Sequence, residues 1–126
     1  MVTDCKFAIC SGGVWVGGWA TVRGCNMNGC STSIEASGYC RIENNLCSGS
    51  SYGIYLTGGR NVVIGNTIST STKGIKADAA NNLVIQNSAT ENSDSYGAIV
   101  VGNTVGPIVT SGTIAVNNNP HANYEF

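Results

Sequence analysis

The stretch IYLTGGRNVVIGNTISTSTKGIKADAANNLVIQN, at positions 54–87, decides the fold of this chain. Within it NVVIGN at 61–66 returns as NLVIQN at 82–87, an offset of 21 residues. The dipeptide Gly-Ile at 53–54 returns at 74–75 with the same offset. Self-similarity at a period of about 20–50 residues is typical of solenoid proteins. We therefore predict a repeated coil that contains two short strands and two turns.

Four sets of residues repeat along the chain and predict inward-facing columns, because alternate residues of a strand point to the same face. These sets are Val2, Val22, Ile42, Val63 and Val84; Phe7, Met27, Cys47, Ile68 and Ala89; Val14, Ile34, Ile54, Ile75 and Ala98; and Val16, Ala36, Leu56, Ala77 and Val100. A turn position is held by Gly13, Ser33, Gly53, Gly74 and Gly97. A sandwich of hairpins would also give short strands with regular turns, but it does not require one residue class at every coil. The pattern predicts an all-β parallel solenoid of about five coils of 20–23 residues, spanning residues 1–104.

Composition and charge exclude several classes of function. The chain has 6 basic and 7 acidic side chains, a net charge of −1 and only 10% charged residues. This is too few cations for a nucleic-acid surface. No run approaches the ~18 apolar residues of a membrane span, and the N-terminal MVTDCKF lacks the features of a signal peptide. We therefore expect no nucleic-acid partner and no membrane span.

One repeated column is polar. Asn45, Asn66 and Asn87 occupy it, and Cys25 and Cys5 continue it toward the N-terminus. Stacked amides can hydrogen-bond to one another along such a column. We therefore predict an asparagine ladder with a structural role.

The six cysteines also follow the repeat. Cys5 and Cys25 are 20 residues apart, and so are Cys10 and Cys30. Because a free Cys packs as a small apolar residue, we expect a stack of reduced thiols. Disulfides within either pair stay open, since stacked strands lie ~4.8 Å apart, within the range that a disulfide accepts. Zinc is disfavoured because the CxxC spacing is absent, so we predict no metal and no cofactor.

The segments NVVIGNTI, GIYLTG and NNLVIQN resemble the repeats of right-handed parallel β-helix proteins, the superfamily that includes pectate lyases and related carbohydrate-active proteins. The resemblance covers about residues 2–100, and residues 103–126 resemble the tail that closes bacterial proteins of this type. It implies the C-terminal part of such a protein, with residues 105–126 as a capping segment, and a secreted or cell-surface location. It implies activity only broadly, because this fold hosts many functions.

Aromatic and ionisable side chains converge on the outward face of the second predicted strand. The predicted outward column is Trp15, Glu35, Tyr55, Lys76 and Ile99, with Asp78 beside it and Arg60 in the turn after Tyr55. Polysaccharide lyases and hydrolases of the superfamily use such a face. The resemblance therefore implies Lys76 or Arg60 as a base and Glu35 or Asp78 as an acid or cation ligand. The coils leave no room for the long loops that wall a catalytic cleft, and no acidic cluster suits calcium.

We therefore expect a non-catalytic β-helix module that is carbohydrate-associated or self-associating, with a small polysaccharide lyase or glycoside hydrolase as the alternative. Trp15, Tyr55 and Trp19 form the expected ligand or partner face, because aromatic rings suit both sugars and protein interfaces. Val2 already holds an inward position, so the chain starts inside a coil. This predicts a piece of a longer β-helix, or a homodimer or homotrimer that covers the open end.

Overall fold

A computed structural model describes residues 1–126 as a parallel β-helix built from three sheets. Seventeen strands are numbered here in chain order. Sheet A contains β1 (Val2–Thr3), β4 (Thr21–Arg23), β7 (Arg41–Glu43), β10 (Val62–Ile64), β13 (Leu83–Ile85) and β15 (Thr104–Val105). Sheet B contains β2 (Lys6–Ala8), β5 (Asn26–Asn28), β8 (Leu46–Ser48), β11 (Thr67–Ser69), β14 (Ser88–Thr90), β16 (Ile108–Thr110) and β17 (Asn123–Glu125). Sheet C contains β3 (Gly12–Val16), β6 (Thr32–Ala36), β9 (Tyr52–Leu56) and β12 (Lys73–Ala77). The one helical element is a 3₁₀ turn at Ile114–Val116.

The fold class predicted from the repeat is confirmed, but each of the first four coils has three strands rather than two. The strands of sheets A and B in these coils have only two or three residues and carry a single inward side chain, such as Val22 in β4 and Met27 in β5. A corner lies between them, at Gly24 with φ of 65°. A strand that shows one inward residue has no period of its own, so the sequence pattern merged two strands into one.

The predicted inward columns are confirmed in the first four coils. Val22 pairs with Ile42, Met27 with Cys47, and the partner of Ile34 is Ile54, all in parallel register. The column residues from the second to the fourth coil are 0% exposed and form one continuous core. The hydrophobic effect on these aliphatic side chains is what holds coil to coil.

The predicted register of the fifth coil is wrong. Ala98, Val100 and Gly97 do not continue the columns, because the 21-residue offset persists further than an early insertion would allow: Lys73 still bridges Asp94, and the backbone N–H of Ile75 donates to the carbonyl of Ser95. Ser95 therefore takes the predicted glycine position. Tyr96, 8% exposed, joins the core, and its hydroxyl donates to the carbonyls of Asn87 and Tyr124. The extra residue comes later, where Ala77 bridges Ile99, so Ile99 packs against the core instead of facing outward.

The asparagine ladder is confirmed, and it is longer than predicted. The Oδ1 of Asn66 accepts from the backbone N–H and from the Nδ2 of Asn45, at 3.0 and 2.9 Å. Asn87 continues the pattern to Asn123 in the C-terminal strand β17. A second ladder, formed by Asn61, Asn82 and Asn103, occupies another corner. Every buried side-chain nitrogen and oxygen has a hydrogen-bond partner, as a packed interior requires.

Residues 105–126 continue the stack. Strand β17 lies between β14 and β16 in sheet B, so the end of the chain enters the place next to β14. Asn123 is 0% exposed and donates to the carbonyls of Val84 and Gly106. The division into coils and a capping segment at 104/105 stays a prediction.

Candidate functional site

The outward face of sheet C carries the predicted column over four coils. Trp15, Glu35, Tyr55 and Lys76 lie in direct register across β3, β6, β9 and β12. Sheet strands hold these side chains at the ~4.8 Å strand spacing, so neighbouring members can touch. The column thus places one aromatic residue at its N-terminal end and a basic residue at its C-terminal end.

Lys76, Asp78 and Tyr55 form one connected cluster. The Tyr55 hydroxyl donates to Asp78 Oδ2 at 2.6 Å, and Lys76 Nζ lies 3.0 Å from the same oxygen. Lys76 Nζ also lies 4.5 Å from the ring centroid of Tyr55 and 5.2 Å from that of Tyr52, and the two rings stack at 5.3 Å. The ammonium group is therefore held by a carboxylate and by two aromatic faces.

The electrostatics of this cluster stabilise its charged resting state. The hydrogen bond with Asp78 raises the pKa of Lys76 and that of Tyr55. The bonds from Tyr55 and Lys76 lower the pKa of Asp78. A general base needs a pKa near the working pH, and so does a general acid. At neutral pH Lys76 stays protonated and Asp78 stays ionised, which is opposite to the roles that the resemblance implies for them.

Glu35 and Arg60 are not joined to this cluster. Glu35 lies in register between Trp15 and Tyr55 and forms no ion pair. Arg60 was predicted close to Asp78, but its guanidinium turns to Tyr39, lying 5.3 Å from the ring centroid and donating to the hydroxyl. The four predicted catalytic residues therefore occupy three separate environments. Whether any of them takes part in catalysis stays a prediction.

Arg60 belongs to a second group of residues, named here the aromatic corner: Trp19, Tyr39 and Arg60. Trp19 and Tyr39 stack with ring centroids 4.7 Å apart, and Arg60 covers Tyr39 from the next coil. All three have positive φ, of 64°, 54° and 63°, and the same corner position is held by Asn81 and Gly102 in later coils. Left-handed backbone costs bulky residues about 1–2 kcal/mol. Stacking of the three side chains offsets part of that cost.

Sequence reasoning found Trp19 and Arg60 but missed Tyr39, and on sheet C it missed Tyr52. The signal for Tyr39 was available, because positions 19, 39 and 60 are spaced by 20 and 21 residues, which is one coil. Tyr52 stands two residues before the inward Ile54 and is an outward position. A second ion pair, between Lys73 and Asp94 at 2.8 Å, also lies on this face and was not predicted.

The surface depressions lie beside the exposed aromatic residues. The largest, about 480 Å³, is bordered by Arg60, Asn81 and Thr104 next to the aromatic corner. Another, of about 310 Å³, is lined by Trp15 and residues 11–13, where the indole lies so close to Gly12 that a Cβ there would come within 2.8 Å of its Nε1. Lys76 and Asp78 line none of the three depressions. No three His, Cys, Asp or Glu side chains come together as a metal-binding group.

Comparison with known protein families identifies the class of protein that this geometry defines. The model of the right-handed β-helix region matches residues 9–125. The chain therefore belongs to the right-handed β-helix family, and the resemblance inferred from its repeats is confirmed. No curated protein and no solved structure shows a significant match. The chain contains no helix of the length and apolar character that crossing a bilayer demands.

Proposed function

We propose that the chain is a non-catalytic β-helix module that binds a carbohydrate chain through its exposed tryptophans. One observation carries the proposal: Trp15 and Trp19 are 72% and 81% exposed, although each indole is large and apolar. Exposing such rings is unfavourable unless a ligand or partner covers them. The β-helix repeat itself is the rigid scaffold that holds the two rings in place.

The chemistry around the two rings suits a sugar polymer. The faces of aromatic rings carry negative charge density and attract the C–H groups of a sugar ring. The depression beside the aromatic corner adds the hydrogen-bonding side chains of Arg60, Asn81 and Thr104. Trp15 and Trp19 are four residues apart, so their backbones lie within about 14 Å of each other. A chain of a few sugar units spans that distance.

A lyase or hydrolase is the weaker alternative. The groups proposed for proton transfer, Lys76 and Asp78, neutralise each other on an open strand face. A catalytic site ordinarily lies in a concave pocket that excludes water, and none of the depressions includes them. These observations favour binding over turnover.

Affinity measurements on immobilised polysaccharides test the proposal. We expect Trp19→Ala and Trp15→Ala each to weaken binding about tenfold through loss of ring stacking. Phe126→Ala is the matched control, because Phe126 is a 48% exposed aromatic residue that pairs with Tyr124 instead. Equal affinity in the wild type and both tryptophan variants would contradict the proposal.

Self-association through the same rings is the second candidate, because two tryptophans exposed at 72% and 81% also fit a protein interface. Sedimentation velocity separates the two candidates. A dimer or trimer that dissociates in Trp19→Ala, together with no binding to any polysaccharide, would replace the carbohydrate proposal by self-association. A monomer that binds a polysaccharide would exclude self-association.

A further inference from the structure

Each of the three corners of the coil holds an inward column that changes chemistry along the stack. The three columns are Cys5, Cys25, Asn45, Asn66, Asn87 and Asn123; Cys10, Cys30, Ser50, Ser71 and Asn92; and Ala20, Cys40, Asn61, Asn82 and Asn103. Asparagine and serine occupy the later coils, whereas cysteine and one alanine occupy the first ones. Five of the six cysteines therefore lie where the rest of the chain uses a hydrogen-bonding side chain.

In the later coils these side chains hold the neighbouring coil by hydrogen bonds. The backbone N–H of Ser71 donates to Asn92 Oδ1 at 2.8 Å, and that of Cys25 donates to Asn45 Oδ1 at 3.0 Å. No backbone N–H of the first coil donates to the thiol of Cys25 or of Cys30. The first coil is thus joined to the second at these two corners without the side-chain bond that the later coils possess.

Cys10 and Cys30 are positioned for a covalent bond in place of the missing one. Strands on both sides of them are in parallel register, with Ala8 opposite Asn28 and Gly12 opposite Thr32. The backbone N–H of Ser31 donates to the carbonyl of Cys10 at 2.9 Å. Two residues stacked in this way have Cα atoms about 5 Å apart, within the separation that a disulfide spans.

The other stacked pair differs in what its thiols do. The Cys5 thiol donates to the carbonyl of Thr3 at 3.2 Å, and the Cys25 thiol donates to that of Arg23 at 3.5 Å. The thiols of Cys10 and Cys30 have no backbone acceptor and are turned to each other, and this contact raises the pKa of Cys10. Cys10 is also partly exposed, whereas Cys30 is 1% exposed. One thiol can meet an oxidant and the other can complete the reaction from within.

We propose that Cys10 and Cys30 are a thiol–disulfide modification site that a small-molecule disulfide converts into a covalent link between the first and second coils. The thiolate of Cys10 attacks one sulfur of the small disulfide and releases one small thiol. Cys30 loses its proton to solvent and attacks the Cys10 sulfur of this mixed disulfide, which releases the second small thiol. Two protein thiols are oxidised by two electrons, and the small disulfide is reduced to two thiols.

Mass spectrometry after incubation of the reduced, folded protein with oxidised glutathione tests the site. We expect the mass to fall by two hydrogen atoms and the tryptic peptides 7–23 and 24–41 to become linked through Cys10 and Cys30. In Cys30→Ser, Cys10 should keep one glutathione. The matched control is Cys40→Ser, because Cys40 stacks on Ala20 and its thiol donates to Gly38 instead; its disulfide should form as in the wild type.

The consequence for the fold is measurable on the same sample. The link closes a loop of about 20 residues, so hydrogen exchange at the amides of Ile9 and Ser31, which join the two coils, should slow by at least about tenfold. A glutathione that stays on Cys10 in the wild type, or a disulfide between any other pair, would overturn the proposal. So would a folded protein that stays reduced where the urea-unfolded protein reacts.

Discussion

At the scale of the residue, the asparagine amide explains why the stack is regular. One Asn side chain accepts from the coil on one side and donates to the carbonyls of its own and neighbouring coils, as Asn66 does with Asn45 and Ile42. No other uncharged side chain of this size offers both a carbonyl acceptor and two donors. Because these amides are buried, their partners have no access to water, and the cost of removing one is high.

The variant Asn66→Ala tests this cost. It leaves the backbone N–H of Asn45 and the carbonyl of Ile42 without their partner, so the free energy of unfolding should fall by about 3 kcal/mol. Asn26→Ala is the control, because Asn26 is exposed on sheet B, and its effect should stay within about 0.5 kcal/mol. Urea unfolding followed by circular dichroism measures both. Equal stability of the two variants would show that the ladder is dispensable.

The cluster of Tyr55, Lys76 and Asp78 makes a prediction for pH. The lowered pKa of Asp78 adds stability above its ordinary value of 3.8 that is lost as the pH falls through the folded pKa. The raised pKa of Lys76 adds stability below its ordinary value of 10.5 that is lost as the pH rises through the folded pKa. The contribution of both groups is therefore present at neutral pH.

The variant Asp78→Asn should return the pKa of Tyr55 toward its ordinary value of 10.0, because the hydrogen bond to Asp78 is the largest cause of its rise. A nuclear magnetic resonance titration of labelled tyrosine follows this change. The variant Asp94→Asn is the control, since Asp94 pairs with Lys73 and not with Tyr55. An unchanged Tyr55 pKa in Asp78→Asn would contradict the observed cluster.

At the scale of the element, the sequence predicted what repeats and missed what does not. Inward aliphatic residues such as Ile34 and Ile54 recur at fixed steps, so their columns could be read directly. The strand between Val22 and the next corner has one inward residue, so nothing in its pattern marked it as separate. The fifth coil departs from the period, and only backbone hydrogen bonding decides that Tyr96 rather than Ala98 enters the core.

Close approach of neighbouring coils leads to a prediction for Gly58, in the corner after β9. A Cβ at this position would lie 1.3 Å from the carbonyl oxygen of Ser37 in the preceding coil. Gly58→Ala should therefore push two coils apart and lower the free energy of unfolding by more than about 2 kcal/mol. Thermal unfolding measures the change.

The control for this variant is Gly112→Ala, whose nearest contact is the Thr110 hydroxyl at 3.8 Å. It should leave the stability nearly unchanged. If both variants unfolded at the same temperature, the backbones would not stack as closely at this corner as the structure has them.

At the scale of the whole molecule, the fold was predictable and the candidate site only in part. The face of sheet C followed from the repeat, so Trp15, Glu35, Tyr55 and Lys76 were placed together correctly. The direction of a long side chain does not follow from its position in the repeat, which is why Arg60 was expected near Asp78 and contacts Tyr39. Rotamer choice depends on neighbours across a corner, and the sequence pattern contains no information about them.

Incubation of the protein with a panel of polysaccharides, with bound polymer and new chain ends both measured, tests the central claim most directly. Reducing ends report hydrolysis, and unsaturated uronate ends report lyase chemistry. The account predicts binding that Trp19→Ala weakens and no new ends of either kind. New ends that disappear in Lys76→Ala or Asp78→Ala would contradict it and would make the sheet C face a catalytic site.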